Sequence, residues 1–227
     1  MKKRKAIVLL SGGLDSATCL YHALRRGYDV ACLAFDYGQR HRREISCSRR
    51  IARLNGLKLS VVKTAFPWNR SSLVSGGPAV ADAVGGISRI PSTYVPGRNT
   101  VFLAAALSFA ESTGAERIFI GANAVDFSGY PDCRPAYYAA WNRLLASLGT
   151  KIKIETPLLR LKKSGIIKMG VRMGVPYELT WSCYRGLSRP CGKCDSCAIR
   201  SRGFAEAGFK DPAVGSRERQ SKKNAKK

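Results

Sequence analysis

The residue types best suited to chemistry open the chain, in the glycine-rich loop Ser11, Gly12, Gly13, Leu14, Asp15 and Ser16. The loop lies between an apolar run at residues 6–10 and a segment with apolar residues at helical spacing, which predicts a strand, a turn and a helix. Glycines let the backbone turn tightly, and N–H groups at a helix start favour an anion. The loop matches neither a Walker A motif nor a dinucleotide fingerprint. We expect a phosphate-binding loop, with an ordinary capped turn as the alternative.

A second chemical motif lies near the C-terminus, where four cysteines have the spacing C-x7-C-x2-C-x2-C: Cys183, Cys191, Cys194 and Cys197. Gaps of two residues let neighbouring thiolates reach one tetrahedral ion, so we expect one closed, structural zinc site per chain. An iron–sulfur cluster is the competing interpretation. Cys19, Cys32 and Cys47 fall in predicted helices or strands and are expected to be buried and apolar. Cys133 is a leftover thiol in a polar loop.

Three polar clusters complete the set: DYGQRH at residues 36–41, VPGRN at 95–99 and GANAVDFSGYPDCRP at 121–135. They lie where predicted strands end or a predicted helix begins, which is where open parallel sheets bind ligands. Each gathers charged, amide and aromatic groups suited to a flat, polar, anionic ligand. Each alone could also be a capped loop.

The elements that must position these residues alternate between strand and helix. We predict strands at residues 6–10, 30–35, 57–62, 117–120 and 152–154, and helices from the loop to Gly27 and at 45–54, 100–112, 135–148 and 163–173. Such alternation predicts an α/β fold with a doubly wound, mostly parallel sheet. Residues 67–96 are rich in Gly, Ser and Pro and fit no regular element, so we expect a functional or disordered loop.

Composition narrows the class of protein. The chain has 227 residues and a formal net charge of +24, with basic residues crowded at both ends. The ends are either solvated tails or a surface for nucleic acid, and charge alone does not separate the two. No apolar stretch approaches the roughly 20 residues of a membrane span, and the apolar run after residues 2–5 is too short for a signal peptide. We therefore expect a cytoplasmic protein with reduced thiols.

Together these motifs resemble the 7-cyano-7-deazaguanine synthase family of the pyrophosphatase-loop ATPases. The matching segments, between about residues 5 and 204, are SGGLDS, DYGQRH, VPGRN, GANAVDFSGYPDCRP, TPL at Thr156, TWSCY and PCGKCDSC. Ala136 departs from the pattern, because the family often has an acidic residue there. The resemblance implies an adenine nucleotide alpha hydrolase-like, Rossmann-like domain at residues 1–175, a small helical zinc-binding module at 176–209 and a basic, disordered tail at 210–227.

The resemblance also implies a reaction. ATP with Mg²⁺ would activate the carboxylate of 7-carboxy-7-deazaguanine, ammonia would give the amide, and a second activation would give the 7-nitrile, a precursor of queuosine or archaeosine. The residues implied to bind ATP are Leu10, Ser11, Gly12, Gly13, Leu14, Asp15, Ser16, Ala17, Thr18, Cys19 and Leu20. Those implied to bind the substrate are Tyr37, Gln39, Arg40, His41, Arg98, Asn99, Asp126, Tyr130, Asp132 and Arg134. Asp15, Ser16, Arg98 and Asp126 are the expected catalytic residues.

Individual roles in the substrate site stay open at the level of sequence. Arg98, Arg134 or Arg40 would bind the carboxylate, since a guanidinium can do so bidentately. Asp126 or Asp132 would accept from the guanine-like N–H groups, and Tyr37 or Tyr130 would stack on the ring. His41 would either move protons from ammonium or stabilise its loop.

Two other functions compete with this one. A related enzyme could adenylate a base within transfer RNA, and a zinc-ribbon protein could bind nucleic acid without catalysis. Direct nucleic-acid binding is not expected, although the basic tails leave it open. The family resemblance and the frequency of two-fold oligomers favour a homodimer.

Overall fold

The computed structural model describes residues 3–67, 70–83, 90–123 and 130–213. Its strands are β1 (Lys5–Leu9), β2 (Asp29–Asp36), β3 (Leu59–Lys63), β4 (Arg117–Phe119) and β5 (Lys153–Glu155). Its helices are α1 (Leu14–Arg25), α2 (Arg43–Leu54), α3 (Arg98–Thr113), α4 (Pro135–Ser147), α5 (Lys163–Met173) and α6 (Asp195–Ala207). Every predicted strand and helix forms, with ends shifted by up to two residues. The last helix, α6, was not delimited from sequence.

The five strands form one sheet in the order β3-β2-β1-β4-β5, and all four neighbouring pairs are parallel. The prediction of a doubly wound parallel sheet is therefore confirmed. Strand β1 shows why helices cover both faces of the sheet, because its successive side chains point to opposite faces and all but the first are buried. Ala6 and Val8 join a core with α1, α2, α5 and α6, whereas Ile7 and Leu9 join a core with α3 and α4.

The strand order reverses beside β1, which pairs with β2 on one side and β4 on the other. The connections leaving β1 and β4 run to opposite faces of the sheet, so a crevice opens between their carboxyl ends. The glycine-rich loop follows β1, and Gly121 follows β4. The topology thus places the expected phosphate loop at the switch point.

The C-terminal cysteine segment is packed onto the sheet domain. Phe204 and Ala207 of α6 belong to the same core as Leu20 of α1 and Ile166 of α5. Arg200 of α6 forms a buried ion pair with Asp211 at 2.8 Å, so ordered contacts extend past residue 210. The described part of the chain contains no helix long and apolar enough to cross a membrane.

Candidate active site

The glycine-rich loop is held by its own serines. Ser16 lies in the first turn of α1, accepts hydrogen bonds from the Ser11 hydroxyl at 3.1 Å and the Gly12 N–H at 3.2 Å, and donates to the Gly13 carbonyl at 3.0 Å. Gly13 is the N-cap of α1, and no side chain caps the helix there. The positive end of α1 is therefore available to an anion.

Two glycines are required by close packing around this loop. Gly12 has φ +89°, and a Cβ there would lie 2.2 Å from the Glu44 carbonyl oxygen. A Cβ on Gly121 would lie 3.0 Å from the backbone of Asp15 and Ser16. The loops after β1 and β4 therefore meet backbone to backbone, and any side chain at either glycine would push the crevice apart.

Asp15 is the charged centre of the loop. Its carboxylate accepts bonds from Lys163 Nζ at 2.7 Å and 2.6 Å and from Asn123 Nδ2 at 3.2 Å. Lys163 begins α5, and Asn123 follows β4. Three separate segments therefore converge on one carboxylate, and this cluster combines a cation with a carboxylate next to the free helix end.

The crevice encloses a cavity of about 270 Å³. Of the residues predicted to bind ATP or substrate, those lining it are Ser11, Gly13, Leu14, Asp15, Ser16, Tyr37, Gln39, His41, Arg98, Asn99 and Tyr130. Leu10, Gly12, Ala17, Thr18, Cys19 and Leu20 are not part of its lining, and the last four lie on the buried face of α1. Asp126 lies outside the described residues.

Part of the cavity lining forms an aromatic and cationic wall, made by the substrate-site candidates Tyr37 and Arg98 together with Phe35 and Phe102. Phe35 and Phe102 stack with ring centroids 3.9 Å apart. Arg98 donates to the Tyr37 hydroxyl at 3.3 Å, and its guanidinium carbon lies 5.8 Å from the centre of that ring. Burial raises the pKa of Tyr37, so its hydroxyl keeps a proton to donate. This wall suits a flat ring bearing polar edges.

Several predicted substrate residues make structural contacts, whether or not they line the cavity. Asp132 accepts from the backbone N–H of Asn99 at 3.2 Å, in the first turn of α3. The Gln39 amide bridges Tyr37 N and Phe35 O at 2.8 and 3.0 Å. Arg40 donates to backbone carbonyls of residues 77 and 78, and Arg134 is exposed at the start of α4. Asp132, Arg40 and Arg134 are absent from the lining of the cavity.

The four C-terminal cysteines converge as their spacing predicts. Their sulfurs all lie within 4.8 Å of one another, and Cys191 Sγ is 3.9 Å from Cys197 Sγ. The edge of a zinc–thiolate tetrahedron is about 3.8 Å, given Zn–S bonds of about 2.3 Å. The backbone N–H groups of Lys193 and Cys194 donate to Cys191 Sγ at 3.4 and 3.3 Å. The cluster can hold one metal ion.

The acid–base state of this cluster also fits a metal. Hydrogen bonds from the Cys194 and Cys197 thiols lower the pKa of Cys183, which favours the thiolate form of that sulfur. Its bond to that thiolate in turn raises the pKa of Cys197. Only a bound cation would let all four sulfurs be thiolates together.

The remaining cysteines differ in environment. Cys19, Cys32 and Cys47 are buried as predicted, and burial raises the pKa of each thiol, that of Cys32 to about 12. Cys133 is also buried but lines the cavity, where its sulfur accepts from Asn99 Nδ2 at 3.4 Å. It is the one cysteine outside the metal cluster that borders the site.

The cysteine segment closes one side of the cavity. The backbone N–H of Trp181 donates to the Gly12 carbonyl at 2.9 Å, which ties this segment to the glycine-rich loop. A Cβ on Gly186 would lie 2.3 Å from the Arg40 carbonyl oxygen, so the two turns touch. Arg43 of α2 lies 5.0 Å from the centre of the Trp181 ring. A metal in the cluster would therefore stabilise one wall of the site.

Sequence analysis did not identify several residues that line the cavity: Glu44, Lys163, Trp181, Ser182, Tyr184, Ser196, Ile199 and Arg200. Most come from segments far along the chain from the glycine-rich loop. No motif in the sequence indicates that they lie near that loop in the folded protein. Glu44 is an exception, since it follows His41 by three residues where a helix begins.

The all-parallel sheet, with this loop at its switch point and the carboxylate–lysine pair beside it, defines a nucleotide-binding α/β protein of the pyrophosphatase-loop class. NMN synthetase from Francisella tularensis has a similar fold, with a TM-score of 0.51 at 12% identity over 92% of this chain and 79% of that one. Residues 5–208 match the model of the family described as Queuosine biosynthesis protein QueC. The chain belongs to this family.

Curated relatives agree with that assignment. The chain is 49% identical to the 7-cyano-7-deazaguanine synthase of Thermoplasma volcanium, covering 92% of this chain and 90% of the relative. It is 48% identical to the enzyme of the same name from Anaeromyxobacter dehalogenans, covering 92% and 94%. The similarity therefore spans nearly all of both chains.

Proposed function

We propose that this protein is an ATP-dependent carbon–nitrogen ligase that converts 7-carboxy-7-deazaguanine and ammonia into 7-cyano-7-deazaguanine, a step in queuosine-precursor synthesis. Relatives with this name cover almost the whole chain. The observation that carries the proposal is that one and the same cavity is lined by a phosphate loop and by an aromatic wall with a guanidinium.

The two sides of the cavity match the two parts of the reaction. A carboxylate resists ammonia because its leaving group would be oxide, so ATP must first convert it to a mixed anhydride with phosphate, such as an acyl adenylate. The glycine-rich loop and the start of α1 would hold the ATP phosphates, and Asp15 would hold Mg²⁺. The Tyr37–Arg98 wall would bind the deazaguanine and its carboxylate. Positioning and charge stabilisation supply most of the catalysis in such transfers.

The same site suffices for the second half of the reaction. An amide becomes a nitrile only when its oxygen leaves, and that oxygen again needs activation by ATP. The product of the first activation would already lie against the phosphate loop. One nucleotide site would therefore serve both steps.

We propose that the cysteine cluster binds one structural zinc ion, with residues 176–209 as the zinc-bearing unit. Four sulfur ligands leave no open position for a substrate, and a closed set of this kind stabilises structure. The support is the approach of all four sulfurs to within 4.8 Å and the Trp181–Gly12 hydrogen bond between this unit and the loop. The homodimer and the cytoplasmic location stay predictions.

The purified protein should be incubated with 7-carboxy-7-deazaguanine, ammonium and Mg-ATP, with and without transfer RNA, and the products followed by mass. We expect the nitrile in both reactions. ATP cleavage that requires RNA would favour the enzyme that adenylates transfer RNA. Absence of nitrile under every condition would overturn the proposal.

A further inference from the structure

We propose that His41 and Glu44 form the ammonium site of this enzyme, in which His41 removes the proton that makes ammonia a nucleophile. The inference rests on the proposed function and assigns one substrate to one end of the cavity. Both side chains line that cavity, together with Ser11, Asp15 and Arg98.

The geometry gives the two imidazole nitrogens of His41 different roles. Nε2 lies 3.2 Å from Glu44 Oε2, so it carries a proton and donates it to the carboxylate. Nδ1 is buried and has no hydrogen-bond partner among the described residues. Burying such an acceptor without a partner is unfavourable, because it loses its hydrogen bonds to water. A small donor molecule at Nδ1 would remove that cost.

The local fold holds this pair in place. The backbone N–H of Glu44 donates to the His41 carbonyl at 3.0 Å. This bond closes the turn that leads into α2 and brings the two side chains, three residues apart in sequence, next to each other. His41 is 2% exposed, and its ring lies 5.7 Å from that of Tyr184 in the cysteine segment. A histidine that only stabilised its loop would be expected to use both nitrogens.

Charge in the cavity favours a cation at this end. Asp15 and Glu44 are the two carboxylates in its described lining. Asp15 is matched by Lys163, whereas the ion-pair partner found for Glu44 is His41. An ammonium ion at Nδ1 would therefore lie beside the carboxylate of Glu44 at this end of the cavity.

The chemistry follows from these two groups. Ammonium transfers one proton to Nδ1, and Glu44 stabilises the imidazolium through Nε2, as a carboxylate does in other histidine dyads. The lone pair of ammonia then forms the C–N bond to the activated carboxyl carbon. The bond from that carbon to the phosphate-bearing oxygen breaks, and the leaving group takes the electron pair. The excess protons pass to solvent, and the amide remains.

Hydroxylamine distinguishes a base that deprotonates ammonium from a residue needed for every nucleophile. It is already neutral at pH 7 and needs no base to become a nucleophile. Initial rates with Mg-ATP and 7-carboxy-7-deazaguanine should be measured with ammonium and with hydroxylamine, for wild type, His41→Gln and His22→Gln. Histidine 22 is the other histidine of the chain and is absent from the lining of this cavity. Zinc content and thermal melting would verify that each variant is folded.

For His41→Gln we expect ammonium-dependent turnover to fall by about 100-fold or more, the usual loss of a general base, with hydroxamate formation within about threefold of wild type. His22→Gln should match wild type with both nucleophiles. Retained ammonium turnover, or equal losses with both nucleophiles, would overturn the proposal. A wild type that forms neither nitrile nor hydroxamate would instead refute the proposed function.

If His41→Gln does not fold, Glu44→Gln provides the same test. It keeps the ring and a hydrogen-bonding group but removes the charge that stabilises the imidazolium. We expect about a tenfold loss with ammonium and little loss with hydroxylamine. Equal effects on both nucleophiles would again overturn the assignment.

Discussion

Lys163 Nζ lies 2.6 Å and 2.7 Å from the two carboxylate oxygens of Asp15, although the residues are 148 positions apart in the sequence. The pair forms because α5 packs beside α1 and begins at the same edge of the sheet as the glycine-rich loop. Both side chains are largely buried, and the lysine adds a cation where phosphates are expected. It is the strongest candidate for catalysis that sequence analysis missed.

Replacing Lys163 by Met should reduce kcat/KM for ATP by about 10- to 100-fold, since a hydrogen bond to a charged group contributes about 1.5–3 kcal/mol. Steady-state kinetics with varied ATP would measure this. Lys168→Met is the matched control, because Lys168 is exposed on the same helix. Equal kinetics in the two variants would show that Lys163 only balances the charge of Asp15.

Replacing Asp15 by Asn should abolish turnover and leave the fold intact, because the amide keeps the shape of the side chain but loses the charge that Mg²⁺ requires. Product formation and circular dichroism would report the two outcomes. Retained turnover would show that the metal and nucleotide bind elsewhere in the cavity.

Removing the metal should expose thiols selectively. In the loaded protein we expect slow reaction with a thiol reagent, because the described cysteines outside the cluster are buried and the cluster sulfurs are occupied. A strong chelator should release about one zinc per chain and four rapidly reacting thiols. Iron with visible absorbance in place of zinc would contradict the structural-zinc assignment.

A variant series would test the same site. Cys183→Ser should lose the zinc and melt at a lower temperature, since it removes a ligand of a site that stabilises folding. Cys47→Ala is the matched control, because Cys47 packs beside the cluster but is not one of its four residues. Metal content measured on both proteins decides the outcome. Zinc loss in the control would show that packing, rather than ligation, retains the ion.

The buried pair Arg200–Asp211 should stabilise the cysteine segment. The side chains are 8% and 9% exposed and join through two bonds of 2.8 and 2.9 Å. Asp211→Asn would leave a buried guanidinium without its counter-charge and should cost about 3 kcal/mol in the free energy of unfolding. Urea denaturation would measure it.

The control for that pair is Glu116→Gln, which breaks the bond of Glu116 to Arg4 between side chains that are 48% and 51% exposed. An exposed pair of this kind contributes about 0–1 kcal/mol. Similar losses in the two variants would show that burial does not determine the strength of the Arg200 pair.

Stability should fall below neutral pH in part through His22. Burial, followed by the nearby Arg26, lowers the pKa of His22. The unfolded chain, with a histidine pKa of about 6.5, therefore takes up the proton first as pH falls, and folding loses free energy between that pH and the lower folded pKa. At a pH above both the unfolded and the folded pKa, His22 is neutral in both states and does not change the stability.

Melting temperatures at pH 7.5 and 5.5 would test this by comparing wild type with His22→Gln. The variant should lose less stability over that interval, because it lacks the titrating group while keeping the others. An equal or larger loss in the variant would show that His22 does not contribute to the pH dependence.

Local features of this protein could be predicted from its amino-acid sequence. The six residues of the glycine-rich loop and the two-residue gaps between cysteines fix short-range geometry, because neighbouring backbone positions dictate which N–H groups and sulfurs can converge. The alternation of strand and helix likewise predicted the parallel sheet, since each element carries its own periodicity. A proton-transfer role for His41 was also among the predictions from sequence, but its partner Glu44 was not.

The set of distant groups that share the cavity became apparent from the folded structure and not from the motifs. The fold brought Lys163 to Asp15, and Trp181 and Tyr184 to the glycine-rich loop and His41, through packing of α5 and the cysteine segment that no spacing rule encodes. It also bound the side chains of Asp132 and Arg40 to backbone groups and left both residues out of the cavity lining. The reason is physical: helix packing and loop contacts depend on the whole core, whereas a motif depends on its own few residues.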